Sequence, residues 1–91
     1  MALSKEDAVK RARDDLAARL GIGENEIKED SVETAEFPDM ALGAPVEGEM
    51  SGQMLSSGWR IRLSACQHGY EYRADKRQVR LYNFNGSNYR V

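Results

Sequence analysis

The one thiol and the one imidazole of the chain, Cys66 and His68, are separated by a single residue. A catalytic thiolate needs a base beside it and a third group to orient that base, and zinc needs three or four ligands. With one cysteine and one histidine, neither set closes without carboxylates that the sequence does not bring near. Gln67-His68-Gly69 also reads as a hairpin turn, where a histidine has no required role. Gly21-x-Gly23 follows a helical stretch and does not open one, so its N–H groups do not converge on a phosphate. The carboxylates between Glu24 and Glu36 have no acid–base partner at a recognisable spacing and read as a solvated edge. The expectation is a protein that is not an enzyme, with no catalytic residue, no metal site and no cofactor.

A second chemistry is recognition. Arg60, Arg62, Arg73, Arg80 and Tyr82 alternate with apolar residues, so they fall on one face of neighbouring strands. Guanidinium groups interleaved with an aromatic ring on an open sheet suit single-stranded nucleic acid, cation to phosphate and ring to base. The competing use is cross-strand pairing with Glu71, Glu29 or Glu33, and the net charge of −2 favours that use. Nucleic-acid binding on these five residues is therefore the alternative reading.

The elements that must hold these side chains begin with residues 58–84. Trp59, Ile61, Leu63 and Ala65 share one face, then Tyr70, Tyr72 and Ala74, then Val79 and Leu81. Period-2 alternation in three runs broken by polar turns predicts an antiparallel meander, with strands near 58–66, 69–75 and 78–83. Ahead of it, Ser4 and Asp7 have the spacing of a capping box, and Val9, Ala12, Leu16 and Leu20 recur at helical intervals up to a Gly21 stop. These predict a helix over 5–20 covering the meander's apolar face. In 27–37 the apolar residues Ile27, Val32, Ala35 and Phe37 do not keep one parity, which a strand near 28–36 with a bulge explains. The expected core is Val9, Ala12, Leu16, Leu20, Val32, Ile61, Leu63, Tyr72, Val79 and Leu81.

The fold expected is α+β: an N-terminal helix packed on a three- to four-stranded antiparallel sheet, with one long loop between the first and second strands. Residues 1–84 form the domain. Asn85-Gly86 is a strong turn signal, and 85–91 are expected to fray as a flexible tail. The loop, 38–57, carries Gly43, Gly48 and Gly52 with Met40, Met50 and Met54. Irregular connections beyond about 12–15 residues are uncommon in compact domains and are often functional. Methionines offer an adaptable apolar surface. The principal reading is a small non-catalytic protein-binding or regulatory module, contacting an unknown protein partner through Phe37, Pro38, Asp39, Leu42, Met50 and Met54 with the sheet rim at Trp59 and Tyr70. The plainer use of these residues is closure of a small core.

Residues 1–50 hold 6 Lys/Arg and 13 Asp/Glu, a net of −7, and 51–91 hold 7 and 2, a net of +5. The two halves are expected to fold onto each other and partly neutralise. No run approaches the roughly 18 apolar residues of a membrane span, and no basic-then-apolar leader opens the chain. One cysteine forms no internal disulfide, so the default location is cytoplasmic, and a form processed after export would read the same way. A monomer or weak dimer with no membrane partner is expected.

Phe37-Pro38-Asp39, Leu42-Gly43-Ala44-Pro45, Gln53, Gly58-Trp59-Arg60-Ile61, Leu63 and Gly69-Tyr70-Glu71-Tyr72-Arg73 carry a resemblance. They resemble the signature of a family of small uncharacterised bacterial domains, cytoplasmic or exported: aromatic-Pro-Asp-x-x-Leu-Gly-Cys-Pro, a Gln-Val, a Pro-Gly-Tyr-Arg-Ile strand and a Tyr-Glu-Tyr hairpin partner. The likeness covers roughly 5–82 and departs at Ala44, where such domains often carry cysteine, and at Ser57, where they often carry proline. It implies no activity. More loosely, a helix followed by antiparallel strands is similar to PepSY modules, associated with inhibiting or chaperoning peptidases.

Overall fold

The computed structural model describes residues 2–50 and 52–91; Met1, in the expected domain, and Ser51, in the expected 38–57 loop, lie outside the described residues. Helix α1 spans Lys5–Leu20. The Ser4 Oγ accepts from the Asp7 N–H and the Asp7 carboxylate accepts from the Ser4 N–H, both at 3.1 Å, so two orphan donors of the first turn are satisfied together. Gly21 ends the helix at φ 67°, and the Ile22 N–H closes the last turn on the Ala17 carbonyl at 3.1 Å.

A 3-10 turn, Glu24–Glu26, leads into β1 (Lys28–Phe37), followed by β2 (Ser56–Ala65), β3 (His68–Ala74), β4 (Val79–Phe84) and β5 (Ser87–Arg90). All pairings are antiparallel and the spatial order is β1-β2-β3-β4-β5, a simple meander. The sheet has five strands, which corrects the three or four expected: Ser87–Arg90, read as part of a flexible tail, returns along β4. The β2–β3 turn also shifts. Ala65 pairs directly with His68, so Cys66-Gln67 makes the connection and His68 is the first residue of β3.

The bulge in β1 falls at Asp30, where the register slips between Glu29 and Ser31. One extra residue exchanges the faces of all that follow. Ile27 before it and Val32 after it both turn toward α1, while Ala35 and Phe37 face the other side.

The helix-side core contains Ala8, Ala12, Leu16, Ile27, Ile61, Leu63, Tyr72, Val79 and Leu81. Val9, Leu20 and Val32, expected inside, are half-buried at its margin, since α1 packs chiefly over β2 and β4. Tyr72, fully buried, donates from its Oη to the Asp15 carboxylate at 2.8 Å, and Arg19 Nε holds the same carboxylate at 2.7 Å. Burial beside that carboxylate pushes the phenol far above its ordinary value. Gly58 permits the close approach of β2 to β3: a Cβ there would lie against the Ala74 carbonyl.

The second face of the sheet is not wet, as the alternation implied. Residues 38–50 and 52–55 fold back across it and bury Phe37, Ala41, Leu42 and Ala44 against the arginine side chains. The molecule therefore has three layers: helix, sheet, and an irregular strap.

Candidate functional site

The strap is shaped by a few local bonds. Asp39 Oδ1 accepts from the N–H groups of Ala41 and Gly43, both at 3.0 Å, which folds 39–43 into a tight turn. Leu42 and Gly43 follow in the left-handed region, at φ 60° and 66°, and drive the Leu42 side chain into the sheet face. Met40 and Gly52 then join the two limbs of the strap through a 3.0 Å backbone bond.

The arginines face this strap and are consumed by it. Arg73 donates through Nη1 to the carbonyls of Leu42 and Gly43, both at 3.1 Å, and through Nε to Glu71 at 2.8 Å. Its guanidinium lies 3.7 Å from the Tyr82 ring centroid and 5.6 Å from that of Phe37, a cation held between two aromatic faces. Arg80 donates to the Ala44 carbonyl and forks onto Glu49 at 2.6 and 2.7 Å. Their side chains are 5% and 9% exposed, so the pair is interior. Arg90 of β5 reaches the same carboxylate at 2.8 Å. The Arg80 fork, with the Val46 N–H, holds the Glu49 carboxyl well below its ordinary 4.5, at about 2.

Arg60 packs beside Phe37 and lies 3.4 Å from Glu71. Arg62 alone of the five candidates is exposed, and it sits between Glu33 at 3.7 Å and Glu71 at 3.8 Å. The five nucleic-acid candidates do share one face, but that face is roofed and its cations are paired across strands and across the strap. The pairs Arg62–Glu33 and Arg80–Glu49 join the basic second half of the chain to the acidic first half.

The candidate docking residues separate into two groups. Phe37 and Leu42 are buried, and Asp39 is occupied in shaping the turn. Met50 and Met54 project outward at 98% and 70% exposure. Leu55, which was not among the candidate docking residues, is 73% exposed beside Met54. Trp59 is half-buried at the same end of the molecule. With Leu55 it walls a cleft of about 390 Å³ whose other wall is the β3–β4 turn, Asp75, Lys76 and Arg77. The Asp75 carboxylate is spent inside that turn on the N–H groups of Arg77 and Gln78, at 2.7 and 3.0 Å, while Lys76 and Arg77 stay exposed. Tyr70 belongs elsewhere: it pairs with Leu63 and stacks toward Phe84 at 5.9 Å, whereas Trp59 pairs with Ala74. The two aromatic rims are at different ends of the β2–β3 pair and do not form one surface.

Cys66 and His68 flank the β2–β3 turn, both exposed, and among the described residues no three His, Cys, Asp or Glu side chains converge on a metal position. No helix of the described residues is long and apolar enough to cross a membrane.

The family described as a domain of unknown function, DUF8738, matches residues 9–82. No curated protein and no solved structure matches the chain. The match runs from the first turns of α1 through the strap to Tyr82 in β4 and takes in most of the chain, which therefore belongs to this family of small domains of unknown function.

Proposed function

We propose that the protein is a small non-catalytic protein-binding module whose contact surface is Met50, Met54 and Leu55 together with the cleft beside Trp59. One observation carries this reading: three large apolar side chains stand in water on a strap whose Ala41, Leu42 and Ala44 are fully buried. Isolated exposed apolar residues are ordinary, but Met54 and Leu55 are neighbours in the chain and Leu55 walls the Trp59 cleft, which is the composition of an interface centre. Methionine side chains adapt to the shape of what they meet. Lys76 and Arg77 rim the cleft, so the partner segment is apolar with carboxylates at its margin. The looser likeness to PepSY modules, associated with binding peptidases, points toward the same class of role.

Nucleic-acid binding has less support, since four of its five candidate side chains would have to leave the strap, Phe37 or Glu71 before meeting a phosphate. The test is capture from the native host by wild-type protein and by a Met50→Ser, Met54→Ser, Leu55→Ser variant of unchanged thermal stability. Loss of a specific protein partner by the variant is the expected result. Identical partners for both proteins, or a nucleic acid captured by both, would overturn the reading.

A further inference from the structure

Three of the chain's four methionines lie in the strap, and the fold gives them different surroundings. Met40 is half-buried between the two limbs. Its N–H donates to the Gly52 carbonyl at 3.0 Å and its carbonyl accepts from Gln78 Nε2 at 2.8 Å. Its side chain crosses to the other limb, where a Cβ on Gly52 would lie against the sulfur. Met50 and Met54 stand in water, at 98% and 70% exposure.

Thioether oxidation follows exposure, because a sulfur lone pair has to meet the oxidant. With hydrogen peroxide the balance is simple. The lone pair attacks one peroxide oxygen, an S–O bond forms as the O–O bond breaks, and the departing hydroxide takes the proton and leaves as water. The sulfur is oxidised to a sulfoxide and the peroxide is reduced. Methionine sulfoxide reductases reverse the change, oxidising two thiols to a disulfide and returning the oxygen as water.

What a sulfoxide does to the molecule depends on what each side chain holds. The strap is anchored by groups other than Met50 and Met54. Asp39 shapes the 39–43 turn, Arg73 holds the carbonyls of Leu42 and Gly43, and Glu49, next in the chain to Met50, is fixed by Arg80 and Arg90. A sulfoxide at 50 or 54 therefore enters water with little packing to lose, whereas one at 40 is set inside the contact between the limbs. Resting on the reading of Met50, Met54 and Leu55 as a contact surface, we propose that Met50 and Met54 form a reversible oxidation switch: peroxide makes the surface polar and releases its partner with the fold intact, and a sulfoxide reductase restores it. Burying an unbonded sulfoxide in an apolar contact is costly, which is what gives the switch its effect.

The other reactive sulfur, Cys66, is exposed at the β2–β3 turn, at the far end of that strand pair from Trp59. The test therefore uses the Cys66→Ser protein treated with hydrogen peroxide. Peptide-resolved mass spectrometry is expected to find sulfoxide at 50 and 54 about fivefold or more faster than at 40. While modification is confined to 50 and 54, the urea midpoint and amide exchange of 38–50 are expected to stay unchanged and retention on a hydrophobic-interaction column to fall. The two sulfoxide reductases, one for each epimer, should restore it. Met50→Leu with Met54→Leu, apolar without sulfur, should keep its retention through the same treatment. The partner captured by the reduced protein should bind the oxidised protein about tenfold or more weakly, and the leucine variant equally before and after peroxide.

Equal oxidation rates at 40, 50 and 54, a midpoint that falls as 50 and 54 are modified, or a loss of retention shared by the leucine variant would each overturn the inference. So would a partner that binds the oxidised protein as tightly as the reduced one, a result that leaves the contact surface standing. A partner retained by the Met50→Ser, Met54→Ser, Leu55→Ser variant overturns the contact surface and the switch together.

Discussion

Glu49 and Arg80 meet in a two-pronged hydrogen bond of 2.6 and 2.7 Å beneath the strap, joining it to the start of β4. An interior pair of this kind is weak evidence for net stabilisation, because desolvating both charges offsets much of their attraction. Removing one member is another matter, since the survivor is left charged and unpaired. Glu49→Ala is expected to cost about 3–5 kcal/mol, a large part of what holds a domain of this size together. The pH dependence follows from the direction of the shift. The folded carboxyl titrates at about 2 and its ordinary value is 4.5, so its contribution is complete above 4.5 and is lost as pH falls toward 2. Urea midpoints measured from pH 6 down to pH 2 should fall more steeply for the wild type than for Glu49→Gln. Parallel curves would show that the pair contributes no pH-linked stability.

Much of the frame was legible because local signals agreed. The Ser4–Asp7 box, the 3–4 spacing of Val9, Ala12, Leu16 and Leu20, and Gly21 set both ends of α1, and the parity break between Ile27 and Phe37 marked the bulge that the structure places at Asp30. The strap was not legible. Its anchoring uses carbonyls of Met40, Leu42, Gly43 and Ala44 as acceptors for Gln78, Arg73 and Arg80, and a backbone carbonyl leaves no trace in residue identity. Alternation placed Arg60, Arg62, Arg73 and Arg80 on one face correctly but gave no means of knowing that chain from 30–36 residues away would roof it. The charge split of −7 and +5 was the available hint, and Glu49 with Arg80 is its most buried expression.

Two of the meander's hairpin turns form a natural comparison. Asn85-Gly86 at φ 53° and 86° and Cys66-Gln67 at φ 53° and 65° are both doubly left-handed connections, the geometry that suits the twist of paired strands. Only the first has residues that adopt it readily, which is why it was readable and the second was displaced to 67–69. Cys66→Asn with Gln67→Gly is therefore expected to stabilise the protein by about 1 kcal/mol, read as a shift in urea midpoint at constant m-value. No gain would mean that Cys66 or Gln67 makes a compensating contact.

Gly43 and Gly21 separate backbone strain from the anchoring of the strap. Both lie in the left-handed region, at φ 66° and 67°, so alanine is strained equally at each. At Gly21 an added Cβ would meet nothing within 4 Å, and Gly21→Ala should cost about 1 kcal/mol. At Gly43 it would lie 2.7 Å from Arg73 Nη1. That guanidinium is fixed by Glu71, by the carbonyls of Leu42 and Gly43 and by the Tyr82 ring, so it yields only by breaking the bonds that hold the strap down. Hydrogen bonds to a charged group are worth about 1.5–3 kcal/mol each, so Gly43→Ala should cost about 2–4 kcal/mol. It should also accelerate amide exchange in 40–50 while leaving α1 protected, because local opening of the strap does not require the helix-side core to separate. Arg73→Lys loses the fork but keeps the charge, and should reproduce the exchange phenotype without the backbone strain. If Gly43→Ala and Gly21→Ala proved equally costly, the Arg73 contact would not be what secures the strap, and the arginine face would be open to other partners.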